Sequence, residues 1–382
     1  MCNILFNDPD RLFPISQKPR DIARYLHASV KNLPIISPHG HCDPSLLSEN
    51  SRFPDPAQLF VKPDHYVFRM LVSQGIFLNE LGIKSINENN YEKDPKKIWK
   101  KFTDSYYLFR GTPTEMWLNY SFETVFGISE PLTPKNSEFY YNHIEEKLAQ
   151  SEFLPRALFE KFNIEVLATT DSALSELEHH IDLKNTKWNG RVVPTYRPDS
   201  VVDPETKAFK TNLLKLGELT GEDTGSWSGY IKAHQSRRSF FKEMGATATD
   251  HGHPSALTEN LSQTEAENLF KLIFTNNFTA DDAEKFRGPM LTEMAKMSCE
   301  DGLVMQIHPG SRRNHSSKIF NQFGLDKGFD IPGRTDYVSA LKPLLDEVGL
   351  RKDLTIILFT LDETSYSREL APMAGVYPAL KL

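Results

Sequence analysis

Leu303-Val304-Met305-Gln306-Ile307 runs straight into His308-Pro309-Gly310-Ser311-Arg312-Arg313-Asn314. A short unbroken apolar run of this kind reads as a strand buried on both faces, as in a parallel sheet. The cluster beyond its end is chemically capable: an imidazole, a rigid turn and two guanidiniums. The same pairing recurs along the chain. Leu33–Ser37 leads into Pro38-His39-Gly40-His41, Ile164–Thr170 into Asp171, Arg191–Tyr196 into Arg197-Pro198-Asp199, and Ala246–Thr249 into Asp250-His251. Thr355–Leu361 and Val376–Leu382 bring the strand candidates to seven. Reactive side chains at the C-terminal ends of successive parallel strands are the arrangement of a (β/α) barrel, whose site is built there. The expected fold is therefore α/β, a (β/α)8-type TIM barrel. Seven candidates leave it one βα unit short of the eight that closure needs.

Helical patterns fill the intervals. Tyr337–Gly349 places Val338, Leu341, Leu344, Leu345 and Val348 at helical spacing, with Gly349 as its stop. Pro343 inside it implies a kink or a later start. Residues 45–163 carry no strong strand signal but several helix-compatible segments, among them Tyr66–Gln74, Pro113–Phe126 and Glu138–Ala149. They predict a helical insertion after the first strand. The expected division is thus an N-terminal segment with the first strand (1–44), a helical lid (45–163) and the rest of the barrel (164–382). Glu218–Ser228 reads as a polar loop bordering a site or an interface.

The 382 residues carry 44 Lys+Arg against 51 Asp+Glu, a formal net charge of −7. That balance argues against a general nucleic-acid binder, which needs a basic face. The three cysteines (Cys2, Cys42, Cys299) are too few and too scattered for a disulfide scaffold or a four-thiolate zinc site, and they fit a reducing, cytoplasmic compartment. The N-terminus has no basic region before an apolar one, so no signal peptide is expected. The most apolar strand-like run is far shorter than the roughly 20 residues of a membrane helix. Walker, GxGxxG, GxSxG and CxxC motifs are missing from the sequence, which leaves nucleotide, acyl-serine and thiol chemistries without a signature. An enzyme acting on a small molecule is the class that remains.

Each strand-end cluster has a chemical and a bland reading. His39 and His41 are two apart on an extended backbone, so both imidazoles face one side and can converge on one ion; otherwise they are a polar turn. Their place at the first strand's end favours the ion. Asp250-His251 is an acid/base pair, or a capping Asp beside a surface His. His308 is a ligand or acid/base group with Arg313 reaching a substrate oxygen, unless the Arg pair is simply a solvated turn. Arg197 can grip a carboxylate bidentately with Asp199 holding it, or the two form a structural ion pair. Asp171 is expected to cap a helix. In the insertion, His65 and Arg69 share a helix face, with Tyr66 beside them in the core or at the mouth.

Nine stretches, taken together and in order, resemble the uronate (glucuronate) isomerases, a divergent branch of the amidohydrolase superfamily. They are PHGHCDP (38–44), PDHYVFRML (63–71), RGTP with Trp117 (110–117), EVLATTD (165–171), VVPTYRPD (192–199), GATATDHGHP (245–254), MQIHPGSRRN (305–314), KGFDIPG (327–333) and TIILFTLDE (355–363). The resemblance implies a distorted (β/α)8 barrel with a helical insertion. It also implies interconversion of D-glucuronate with D-fructuronate and of D-galacturonate with D-tagaturonate, and a homo-oligomer. His39 and His41 match metal ligands, with zinc as the usual ion. His65 and Tyr66 match residues near the sugar ring and the transferred proton. Arg197 and Arg313 match cationic groups around the substrate's oxygens, and Asp250, His251 and His308 match polar strand-end residues; Arg69 is a further candidate for holding the uronate carboxylate. Members of the family usually continue past the position of Leu382 with a Trp-bearing loop, another strand and an Asp that completes the metal site, so this chain is expected to be short there. The rival readings are a metal-dependent amidohydrolase or lactonase, a sugar-acid binding module, and a catalytically incomplete fragment.

Overall fold

The computed structural model describes residues 8–87 and 89–382. Two compact units emerge. One comprises Met1–Ile35, Glu49–Ile164 and Asn314–Asp330; the other comprises Ile36–Ser48, Glu165–Arg313 and Ile331–Leu382. The helical unit thus also takes in 314–330, a stretch that the sequence reading leaves with the barrel.

In the helical unit the elements follow from local signals. Helix Pro95–Asp104 starts where Asp94 accepts the Lys96 amide and proline occupies its first turn, and it buries Ile98, Trp99, Phe102 and Thr103 along one stripe. Helix His65–Val72 is capped by the Asp64 carboxylate, which accepts the Tyr66 and Val67 amides, and it buries Val67, Phe68 and Leu71. Helices Pro113–Tyr120 and Ser137–Leu148 complete the frame. Edge-to-face aromatic contacts tie the core together, with Trp99, Phe122 and Tyr140 at its centre.

The second unit is built on parallel strands. We label them β1 (Ile35–Ser37), β2 (Ile164–Ala168, resuming at Asp171–Ser172), β3 (Arg191–Val193, resuming at Tyr196–Arg197), β4 (Ala248–His251), β5 (Val304–Ile307), β6 (Ile356–Leu358) and β7 (Leu380–Lys381). The two halves of β2 keep one register against the two halves of β3: Val166 pairs with Arg191 and Asp171 with Tyr196. Backbone bonds Thr169 N to Val193 O and Asp171 N to Thr195 O carry the ladder across the gap. Seven strands therefore lie side by side in chain order, each neighbour parallel where pairing is described. Among the described residues no pairing joins β7 to β1.

Register assigns the faces. Asp171, Tyr196, Thr249, Met305 and Ile356 are successive cross-strand partners. Most of this row is core: Tyr196 packs edge-to-face on Phe241 of helix Trp227–Glu243, and Met305 and Ile356 belong to the same apolar core as Met290 and Leu291 of helix Ala280–Asp301. One residue further along each strand, Ser172 pairs with Arg197, and Asp250 and Ile357 both pair with Gln306. Alternation turns this second row to the opposite face. Ser172, Arg197, Asp250 and Gln306 are thus gathered on one side by the pleat.

Several sequence expectations need correction. The fourth strand is not Ala246–Thr249 but Ala248–His251, because the ladder with β5 continues until the His308 amide reaches the His251 carbonyl. Asp171 caps no helix: it lies within β2, nearly buried, and accepts from the Thr169 hydroxyl at 2.6 Å. Val376 ends helix Ala371–Val376, and Pro378 offers no amide, so the last strand shrinks to Leu380–Lys381. The expected loop 218–228 is shorter, since helix Phe209–Thr220 runs on to a left-handed Gly221. Pro343 acts as expected: one helix stops at Ala340 and another, Lys342–Val348, starts with the proline in its first turn. No helix among the described residues is long and apolar enough to cross a membrane.

Candidate metal centre

Asp250 is the hub. It sits in β4 with no side-chain exposure, and its Oδ1 lies 2.7 Å from His308 Nε2 and 3.6 Å from His39 Nδ1. Its Oδ2 lies 3.3 Å from Arg197 Nη1. Burial alone would raise this carboxyl's pKa; His308, Arg197 and His39 outweigh it and hold the group at about 2. Both Asp250 oxygens and His308 Nε2 are buried without a hydrogen-bond partner. Orphaned lone pairs on a carboxylate and an imidazole, converging with a second imidazole, are what a divalent cation would satisfy. One ligand atom from each of His39, Asp250 and His308 lies within 4.8 Å of the others, a spacing that fits one ion.

Local backbone explains why these residues meet. His39 follows β1 after Pro38, and His308 follows β5 directly. Gly40 lets the first turn press against β2: a Cβ there would stand 2.7 Å from the Ala168 carbonyl oxygen, and Thr170 Oγ1 donates to the Gly40 carbonyl at 2.7 Å. Gly252 plays the matching part after β4. A Cβ at 252 would come within 2.5 Å of Arg197 Nη2 and 2.8 Å of both Asp199 Oδ2 and His308 Cε1. Asp199 clasps this crossing, accepting from Arg197 Nε at 2.8 Å and from the Gly252 amide at 3.1 Å.

The other sequence candidates fall in different places. His41 is exposed, with its ring 5.3 Å from that of His39, edge to face, and desolvation followed by His39 and Arg197 lowers its pKa. It is not part of the three-residue group. His251 turns to the opposite face from Asp250; it is fully buried against the Thr249 hydroxyl at 3.0 Å, and burial drives its pKa well down. Arg313 is exposed just after Ser311–Arg312, which pairs antiparallel with Ile331–Pro332. His65, Tyr66 and Arg69 belong to the helical unit, with the His65 ring 4.4 Å from Tyr66 and the Arg69 guanidinium 4.8 Å over the same ring. Sequence reading assigned no role to Gln306, Gly252 or Phe359, although the Phe359 ring lies 5.2 Å from that of His39. The two-residue step from Gln306 to His308 was the available signal for the first.

The comparisons agree with this architecture. The profile of the glucuronate isomerase family matches residues 16–381. A uronate isomerase of Rhizobium meliloti is 59% identical over 375 residues, 98% of this chain and 80% of that protein. One from Mesorhizobium japonicum is 57% identical, over 99% of this chain and 81% of its own length. Among solved structures, the glucuronate isomerase of Caulobacter crescentus superposes with a TM-score of 0.96 at 51% identity, covering 98% of this chain and 78% of that one. The uronate isomerase of Thermotoga maritima gives 0.87 at 27% identity over 94% of this chain and 77% of that one. The seven ordered parallel strands, the strand-end polar hub and these matches lead to one conclusion: the chain belongs to the glucuronate isomerase family.

Proposed function

We propose that this protein interconverts the aldose and ketose forms of a uronate, D-glucuronate with D-fructuronate and D-galacturonate with D-tagaturonate. The observation that carries the proposal is the buried Asp250 carboxylate converging with His39 and His308, found in a chain of this family. His39, Asp250 and His308 would hold a divalent ion, zinc in the first instance, which supplies a positive centre for the substrate's oxygens. The sheet is read as the wall of a (β/α)8-type barrel with its chemistry at the strands' C-terminal rim.

Moving the carbonyl from C1 to C2 requires a proton to leave C2 and another to arrive at C1. Arg197 has its Nε held by Asp199, so its guanidinium edge is fixed beside the hub and orients an anionic or hydroxyl oxygen of the substrate. Arg313 is a second candidate for the substrate's oxygens. Tyr66 and His65 keep the proton-handling role that the family resemblance gives them, and Arg69 is a further candidate for the substrate's carboxylate. Buried His251 supports the strand rather than touching substrate. A homo-oligomer in the cytoplasm completes the proposal, and sedimentation of the purified chain tests its assembly state.

The decisive assay follows D-glucuronate in deuterated water by proton NMR. The proposal predicts ketose formation with solvent deuterium entering at the reacting carbons. Turnover of amides or lactones without any turnover of uronates would favour a hydrolase instead, and isomerisation with complete retention of the C2 proton would exclude the enediol route. Tyr66→Phe is expected to lower kcat about 100-fold or more if the phenol moves a proton.

A further inference from the structure

Gln306 is nearly buried in β5, and its carboxamide makes two bonds that together locate a proton. Its Nε2 donates to the Pro38 carbonyl oxygen at 3.1 Å. A carbonyl only accepts, so the amide must turn its NH2 toward Pro38 and its Oε1 toward His39. That Oε1 lies 2.8 Å from His39 Nδ1. A carboxamide oxygen also only accepts, so Nδ1 must carry the hydrogen. A neutral imidazole has one N–H, and the single lone pair of His39 is therefore left on Nε2.

We infer that Gln306 is a positioning residue: it fixes His39 as the Nδ1–H tautomer and leaves Nε2 as the ring's one lone pair for an electrophile. The inference concerns a residue outside the ligand group and deepens the metal reading, on which its significance for ion binding rests. The tautomer itself does not depend on that reading. The sequence choice is specific. Gln306 is the cross-strand partner of Asp250, so a carboxylate at 306 would set a second anion beside a buried one and oppose the Pro38 carbonyl. An apolar residue would remove the 2.8 Å acceptor and leave Asp250 Oδ1 at 3.6 Å, beyond hydrogen-bond reach, so the Nδ1–H form would lose its anchor. The amide alone ties β5 to the turn after β1 while orienting the imidazole.

The test uses the full chain with nitrogen-15-labelled histidine, stripped of metal, at alkaline pH where the rings are neutral. Two-bond proton–nitrogen correlations report the tautomer, and the His39 signals are assigned by their loss in His39→Asn. Wild type is expected to show His39 as Nδ1–H. Gln306→Met, similar in length but without either bond, is expected to lose that pattern, and Gln306→Glu, which keeps an acceptor facing Nδ1, to retain it. Zinc affinity, read by competition with a chromogenic chelator, should fall about 10- to 100-fold in Gln306→Met. An Nε2–H His39 in wild type, or a folded Gln306→Met with unchanged tautomer and affinity, overturns the inference. Should Gln306→Met fail to fold, the wild-type and Gln306→Glu tautomers decide. If wild type binds no zinc yet shows the Gln306-dependent Nδ1–H form, the positioning role stands and the metal reading falls.

Discussion

At position 252 a single methyl group separates a working rim from a crowded one. Gly252 admits the Arg197 guanidinium, the Asp199 carboxylate and the His308 ring to the same small volume, and two of those groups frame Asp250. Gly252→Ala should therefore keep the fold, cost about 1–3 kcal/mol in urea-measured stability and lower kcat/KM at least tenfold through displaced Arg197 and His308. Unchanged kinetics would mean that these contacts do not matter to turnover. His39, Arg197, Asp250 and His308 were legible in the sequence because each stands at or just beyond the end of an apolar run. Gly252 was not, since it acts by lacking a side chain; Gln306 shares the strand period of His308, but its role rests on a hydrogen-bond direction that no spacing encodes.

Element ends are where sequence reading lost accuracy, and the reasons are physical. Strand β4 looked finished at Thr249 because Asp and His have low strand propensity, yet parallel pairing with β5 carries it through His251. Conversely, Val376–Leu382 is rich in strand formers, but the preceding helix takes Val376 and Pro378 cannot donate. Helices fared better where a cap marks the start. Helix His65–Val72 depends on Asp64, which accepts the Tyr66 amide at 2.8 Å and the Val67 amide at 3.3 Å. Asp64→Ala is expected to cost about 1 kcal/mol in denaturant unfolding. It should also loosen the first turn, which carries His65 and Tyr66, so KM or kcat for uronates should worsen by several-fold. A variant as stable as wild type would show that this cap is dispensable.

Across the whole molecule, buried neutral histidines set the acid limit of stability. His234 is held at about 3 against an ordinary 6.5 by burial, followed by the nearby Arg238, and its Nδ1 lies 2.7 Å from the Tyr196 hydroxyl. His253 is likewise lowered, by burial first. In the unfolded chain such groups take up protons near pH 6.5 that the folded protein refuses, so their contribution is complete above that pH and is lost as pH falls toward 3. Each contributes a slope of about 1.4 kcal/mol per pH unit within its window. His234→Gln should flatten the profile of unfolding free energy between pH 6.5 and 4 by about that slope; an unaltered slope would mean that His234 is protonated in the folded state. The α/β class with parallel strands and the strand-end clustering of reactive groups were readable from letters alone, because parallel strands announce themselves by composition. What the letters could not give was Asp250 as the common partner of His39, His308 and Arg197, since that depends on register between strands far apart in the chain. The most direct test of that hub is kcat/KM for D-glucuronate in Asp250→Asn beside wild type, at saturating zinc and with folding checked by circular dichroism. A folded variant slowed at least 1,000-fold is the expected result; a folded variant that turns over uronate like wild type would contradict the account.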